Sequence, residues 1–257
     1  MTALIFDCDG VLSDTERYGH LPTFNQTFAE FGLPVRWSEE DYGIALHIGG
    51  GKERLAALLT PEFVAEAGLP ADREGQLAQV AAWHKRKTQL YVEMVRAGRL
   101  PPRPGIARVA AQARAAGWQL AVCSTSAEPS VRAILENAVG PDAAGEFLVL
   151  AGDIVTAKKP APDIYMLALD RLGVAAGDCV VIEDSRNGLL AAVAAGLTTV
   201  VTVNGYTRDQ DFREAALVVS TLGDPDGERS VVLANRTAAA PGDYITISDL
   251  LACLGEP

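Results

Sequence analysis

Leu4-Ile5-Phe6-Asp7-Cys8-Asp9-Gly10-Val11-Leu12 decides how the chain is read. Leu4 to Phe6 reads as a buried strand of a parallel sheet, where both faces are covered and apolar runs are continuous. Two aspartates spaced i, i+2 end the run, and Gly10 lets the chain turn away without a Cβ penalty. Asp7 and Asp9 therefore stand at the carboxyl end of a strand, where open α/β sheets place their ligands. Two carboxylates so close repel each other unless they share a cation or one stays protonated. Taken alone, a D-x-D is better read as an acidic turn. The rest of the chain reverses that.

Working outward, residues 14–32 show helical spacing of Tyr18, Leu21, Phe24, Phe28 and Phe31, with Pro22 either marking a later start or bending the helix. Ser38 followed by Glu39-Glu40-Asp41 reads as a capped helix start, and Pro61 and Asp72 as further starts. Residues 15–97 are thus expected to be helical throughout, as an insert after the first strand. The proline-rich stretch from Arg99 to Gly105 is the best domain boundary. Beyond it, strands predicted at 118–123, 147–150, 179–182 and 198–203 alternate with helices, which means βαβ units and a parallel sheet. The expected organisation is an α/β, Rossmann-like core from 1–14 and 98–257 with an all-helical insert over 15–97. Residues 217–219 add an edge strand in this reading, 224–243 are loop, and 248–254 form a closing helix.

Composition narrows the function. The 257 residues carry 33 acidic and 22 basic side chains, a formal charge of −11, which argues against nucleic acid or an anionic membrane as partner. The four cysteines, Cys8, Cys123, Cys179 and Cys253, are too scattered for a metal knuckle or disulfide framework and read as reduced. With a core strand starting at about the third residue there is no room for a signal peptide, and no apolar span is long enough to cross a bilayer. A cytoplasmic monomer acting on a small molecule is the expectation.

Four polar clusters fall at or just beyond the carboxyl ends of separate elements: Asp7/Asp9, Ser124, Lys159 and Glu183/Asp184. Oxygen-only ligation by several carboxylates suits Mg²⁺. A lysine and a serine hydroxyl can hold the outer oxygens of a phosphoryl group, whose transfer needs mainly positioning and charge neutralisation. Each cluster has a dull alternative, but four together at strand ends point to chemistry.

Asp7-Cys8-Asp9-Gly10-Val11-Leu12, Ser124, Lys159-Pro160-Ala161-Pro162-Asp163-Ile164-Tyr165 and Val181-Ile182-Glu183-Asp184-Ser185-Arg186-Asn187-Gly188 resemble the four motifs of the haloacid dehalogenase superfamily. They look most like its branch with a small helical cap inserted after the first motif, which includes β-phosphoglucomutase and the CbbY-like sugar phosphatases. The resemblance implies that Asp7 is the nucleophile, Asp9 the general acid and base, and Ser124 and Lys159 the ligands of the transferring phosphoryl group. It further implies that Asp7, the Asp9 main-chain carbonyl and Asp184 hold Mg²⁺, with Glu183 a ligand or a support for one.

Within the insert, Thr15-Glu16, Gly19-His20, Tyr42-Gly43 and Ile48-Gly49-Gly50-Gly51-Lys52-Glu53-Arg54 are similar to the CbbY-like branch, as are Tyr206-Thr207 and Leu222-Gly223-Asp224-Pro225. That branch implies hydrolysis of xylulose 1,5-bisphosphate, an inhibitor of Rubisco. A bisphosphate needs a second anion site, and Lys52, with the main chain of Gly50 and Gly51, suits it. Glu16, His20, Thr125 and Ser126 are the other expected substrate contacts. One departure stands out: Ala127-Glu128-Pro129 occupies a place where the branch carries polar or basic residues, and Glu128 would repel a phosphate. The alternatives are a sugar phosphate mutase of the β-phosphoglucomutase type and, less well supported, a non-catalytic regulatory protein on this fold. The intact Asp7/Asp9 pair speaks against the latter.

Overall fold

β1 (Ala3–Phe6) lies near the middle of a seven-stranded sheet of order β3-β2-β1-β4-β5-β6-β7 in the computed structural model, which describes residues 1–48 and 50–255. Its neighbours are β2 (Gln119–Ser124) and β4 (Cys179–Glu183), both parallel, with Phe6 in register with Val122 on one side and Ile182 on the other. β3 (Leu148–Ala151) extends the sheet beyond β2, and β5 (Thr198–Thr202) and β6 (Leu217–Val219) extend it beyond β4, all parallel. The order therefore reverses direction at β1, and such a switch point opens a crevice at the carboxyl ends of the strands. All four residues of β1 are fully buried, as its unbroken apolar run requires.

The stretch expected as loop over 224–243 contains a further strand, β7 (Val232–Asn235), antiparallel to β6 and forming the edge of the sheet. β6 is thus an interior strand. Half-exposed Val232 and Leu233 give β7 no inside–outside alternation to read, and the Pro, Gly and Asp residues around it signal turns.

By packing the chain divides into two units, Met1–Asp14 with everything from Leu100 onward, and Thr15–Arg99. The first unit holds the sheet with α6 (Ile106–Ala115), α7 (Glu128–Val139), α8 (Pro141–Ala144), α9 (Asp163–Leu172), α10 (Arg186–Ala194) and α11 (Ile247–Cys253). Ile5, Ala121, Cys123, Val181, Ile164 and Ala191 share one apolar cluster between sheet and helices. The second unit has no strand among its described residues. A π-helical turn (Glu16–His20) runs into α1 (Leu21–Glu30), where Pro22 is accommodated in the first turn because no i−4 partner is needed there. α2 (Glu39–Ala45), α3 (Gly51–Ala56), α4 (Pro61–Glu66) and the long α5 (Arg73–Arg96) follow. Phe24, Phe28, Trp37 and Tyr42 form its aromatic centre, with ring centroids 4.9–6.2 Å apart. Gly98 and Arg99 belong to this unit because their amides close the end of α5 on the carbonyls of Val95 and Met94. Among the described residues no helix is long and apolar enough to cross a membrane.

Candidate active site

The strand ends bring Asp7, Glu183 and Asp184 together: each is buried and offers one oxygen, all within 4.8 Å of one another. Between two of them sits Lys159, whose Nζ donates to Asp7 Oδ1 and to Glu183 Oε1 at 2.6 Å each and to the Cys123 carbonyl at 3.0 Å. Glu183 is the most heavily engaged. Its Oε1 also accepts from the Tyr165 hydroxyl at 2.6 Å, and its Oε2 accepts the Asp184 amide at 3.1 Å and the Ser185 hydroxyl at 3.3 Å. The carboxyl fits only because residue 188 is glycine, since a Cβ there would overlap the Glu183 carboxylate. Gly10, at φ +86°, is required twice over: a side chain would be strained and would collide with Asp184 Oδ2. That same oxygen accepts the Asn204 side-chain amide at 2.7 Å.

Asp9 faces another way. Its Oδ2 accepts from the Ser126 hydroxyl at 2.6 Å and the Ser124 hydroxyl at 3.3 Å, so its side chain is not in the three-carboxylate group. The two aspartates of the D-x-D are therefore separated in environment: residues two apart in a continued strand would share a face, but the chain turns at Cys8, whose carbonyl accepts the amides of Val11 and Leu12, and Asp9 is carried elsewhere. Ser124 is buried at the end of β2 and accepts the Ser126 amide at 3.0 Å, while Thr125 is exposed.

Electrostatically the group is short of positive charge. Burial, with Glu183 and Asp9 adding to it and Lys159 opposing it, pushes Asp7 up to about 7. Burial, then Glu183 and Asp7, raise Asp184 well above the carboxylate range, Arg103 and Lys159 working the other way. Burial disfavours the Lys159 ammonium too, but Asp7 and Glu183 outweigh it and hold its pKa well above the ordinary value. An all-oxygen donor set with this much unrelieved repulsion fits a hard divalent cation.

The candidates in the helical unit sit in a different setting. Glu16 accepts the Tyr42 hydroxyl, and Arg54 lies 4.0 Å from the Glu16 carboxylate. The His20 ring stacks on Tyr91 at 4.1 Å, and its Nδ1 is 2.8 Å from the Nζ of buried Lys87. Burial first, then Lys87 and Arg54, depress the His20 pKa well below normal, so the imidazole is neutral. Lys87 Nζ lies 4.7 Å from the centre of the Phe24 ring and 5.2 Å from that of Tyr91. Gly50 is left-handed at φ +92°, and a side chain there would overlap Glu53, so an acid of the chain itself already lies beside this turn. Lys52 is exposed in the first turn of α3, while Gly49 lies outside the described residues. Glu128, at the start of α7, is paired with Arg132 one turn on at 2.7 Å, which offsets its charge.

Sequence reasoning did not single out Asn204, Arg103, Lys87 or the role of Tyr165. Tyr165 lies in a stretch quoted for its motif, and Asn204 follows a strand end, a position that could have flagged it. Lys87 is hidden in His84-Lys85-Arg86-Lys87, a run that reads as a solvated face.

The model of the haloacid dehalogenase-like hydrolases matches residues 1–196. A CBBY-like protein of Arabidopsis thaliana is 47% identical over 228 residues, covering 89% of this chain and 71% of the relative. The crystal structure of a mutant CbbY from Rhodobacter sphaeroides in complex with xylulose-(1,5)bisphosphate superimposes with a TM-score of 0.67 at 38% identity, covering 86% of this chain and 95% of that one. A putative β-phosphoglucomutase from Thermotoga maritima gives 0.65 at 26% identity, covering 85% and 94%.

Proposed function

The chain belongs to the haloacid dehalogenase-like hydrolases and is a phosphatase of that family, and from this premise we propose that it is a Mg²⁺-dependent sugar bisphosphate phosphatase that hydrolyses xylulose 1,5-bisphosphate. The observation that carries the substrate is the bisphosphate held by the Rhodobacter sphaeroides CbbY. In this reading the helical unit is the cap that selects the sugar, and Asp7, Asp184 and the Asp9 carbonyl would hold the cation, with Glu183 a ligand or a support for one. When bound, Mg²⁺ supplies the charge that ionises Asp7 and neutralises the phosphoryl oxygens.

Asp7 attacks the phosphorus, the P–O bond to the sugar breaks, and Asp9 gives its proton to the leaving alkoxide. Asp9, now a carboxylate, takes a proton from water, and the resulting hydroxide attacks the aspartyl-phosphate, releasing phosphate and restoring Asp7. Ser126 and Ser124, both donating to Asp9 Oδ2, orient this acid. Lys159, gripped by Glu183 through a bond that Tyr165 braces, fixes the Asp7 carboxylate and leaves it able to rotate little. Phosphate release from a panel of sugar mono- and bisphosphates with Mg²⁺ is the test. One equivalent of free phosphate, with xylulose 1,5-bisphosphate the best substrate, is expected. An isomerised sugar phosphate without free phosphate would overturn the hydrolase in favour of the mutase that the Thermotoga maritima neighbour represents.

A further inference from the structure

We propose that Arg103 is a positioning residue for the cation-binding carboxylates, acting through main-chain carbonyls on both sides of Asp184; the inference rests on the metal-dependent reading above. Arginine usually spends its planar fork on carboxylates or phosphates. Arg103 instead donates through Nη1 to the carbonyls of Gly10 and Thr202, the latter at 2.9 Å, and through Nη2 to those of Val203 at 2.7 Å and Ser220 at 2.8 Å. Its own amide donates to the Leu12 carbonyl at 3.0 Å. One guanidinium thus joins the turn after β1, the end of β5 and the end of β6. Two of these segments hold Asp184 directly. The α-carbon of Gly10 packs against Asp184 Oδ2, and Asn204, next to Val203, donates its amide to that oxygen. Asp7 is tied to β4 by its own amide, which donates to the Ile182 carbonyl at 2.9 Å, so what Arg103 adds is on the Asp184 side: it holds Gly10 and the segment of Asn204 against that carboxylate before any ligand arrives. Burial lowers the Arg103 pKa, and Asp184 and Asp14 offset part of that cost.

A second arginine shows what the same chemistry does away from the carboxylates. Arg108 donates to the carbonyls of Ile245 at 2.7 Å, Leu222 at 3.1 Å and Gly223, pairs with Asp224 at 3.2 Å, and lies 4.8 Å from the Tyr244 ring. None of these partners touches Asp7, Glu183 or Asp184 in the hydrogen bonds of the described residues. Arg108 therefore serves as the control for a purely structural clamp.

The test measures Mg²⁺ binding by calorimetry, with melting temperature and turnover, on the full chain as wild type, Arg103→Lys, Arg103→Met and Arg108→Lys. Lysine keeps the charge but cannot bridge four carbonyls, so both Arg103 variants should bind Mg²⁺ roughly ten- to a hundredfold more weakly, the scale of a lost support behind a metal ligand. Their kcat on p-nitrophenyl phosphate at saturating Mg²⁺ should fall while KM changes little. Arg108→Lys should melt lower yet bind Mg²⁺ as wild type does. Equal affinity in the Arg103 variants, or an equal loss in Arg108→Lys, overturns the inference. No binding by wild type overturns the metal-dependent reading, and this inference with it. If neither Arg103 variant folds, hydrogen exchange of wild type decides. β6 is also laddered directly to β5, so the reporters are the guanidinium N–H groups themselves: exchange at Arg103 should slow when Mg²⁺ is added, while exchange at the Arg108 guanidinium stays unchanged. Unchanged exchange at Arg103, or equal slowing at Arg108, overturns the proposal.

Discussion

The strand-end carboxylates and the helical unit both bury charged side chains, but they hold them differently. Asp7, Glu183, Asp184 and Lys159 hang from two strand ends and one loop of a parallel sheet, and every Glu183 oxygen is spoken for. Lys52 sits on α3, which Gly50 precedes; α2, α3 and α4, all in the helical unit, have seven residues or fewer. Short helices owe their stability to packing rather than to propensity, so residues on them are easier to move. The difference teaches where to expect each kind of effect. Loss at the strand ends should be large and blind to substrate, and loss in the helical unit smaller and substrate-dependent.

The sharpest way to break that contrast is Asp7→Asn. Turnover should fall by several orders of magnitude on every phosphate monoester, with circular dichroism and melting close to wild type. Near-normal phosphate release would remove the nucleophile and with it the meaning of the cluster.

Metal removal comes next. Chelation should abolish turnover, Mg²⁺ should restore it, and at a hundred times its Kd the cation should stabilise the fold by about 2.7 kcal/mol. The pH dependence follows from Asp7, raised by burial from 3.8 to about 7. Between those values the metal-free folded protein keeps a proton that the unfolded chain has lost. Its stability should therefore fall as pH rises through that window, with Asp184, raised in the same direction, adding to the fall. Melting temperature against pH, with EDTA and with Mg²⁺, checks this; a metal-free curve that rises across the window would contradict the assigned burial cost.

Lys52→Ala tests the other half of the comparison. It should cost about 2–3 kcal/mol in kcat/KM for a bisphosphate, the scale of a lost charge-assisted hydrogen bond, and leave p-nitrophenyl phosphate almost unaffected. Equal losses on both substrates would mean that Lys52 does not read the distal phosphate. The smallest effect is expected at Glu128, whose exposed pair with Arg132 spans one helical turn. Glu128→Ala should shift stability by less than about 0.5 kcal/mol, as such pairs do. A several-fold gain in bisphosphate affinity would show that its charge opposes the substrate after all.

Much of this was legible in the chain, and for local reasons. Apolar Leu4 to Phe6 running into Asp7-Cys8-Asp9-Gly10 specifies a buried strand, a polar end and a turn within nine residues, since burial and backbone sterics act at that range. Alternation of strands and helices after Gly105 specifies a parallel sheet in the same way. By contrast β7 escaped because its exposed Val232 and Leu233 carry no burial pattern. Lys87 escaped because a buried lysine in a basic run differs from a solvated one only through neighbours elsewhere in the chain, here His20, Phe24 and Tyr91.

By itself, then, the sequence determined the elements other than edge strand β7 that position the site, the residues at their ends and the kind of chemistry those residues can do, all of which follow from periodicity, capping and side-chain type. Tertiary structure alone decided that Glu183 grips Lys159, that Asp9 turns to Ser126 and away from Asp7, and that Arg103 ties Gly10 to Thr202, Val203 and Ser220. Those are pairings between segments as far as 117 residues apart. No local pattern specifies them, because which strand ends become neighbours depends on the order in which the whole sheet packs, and only that order brings the polar ends close enough to bond.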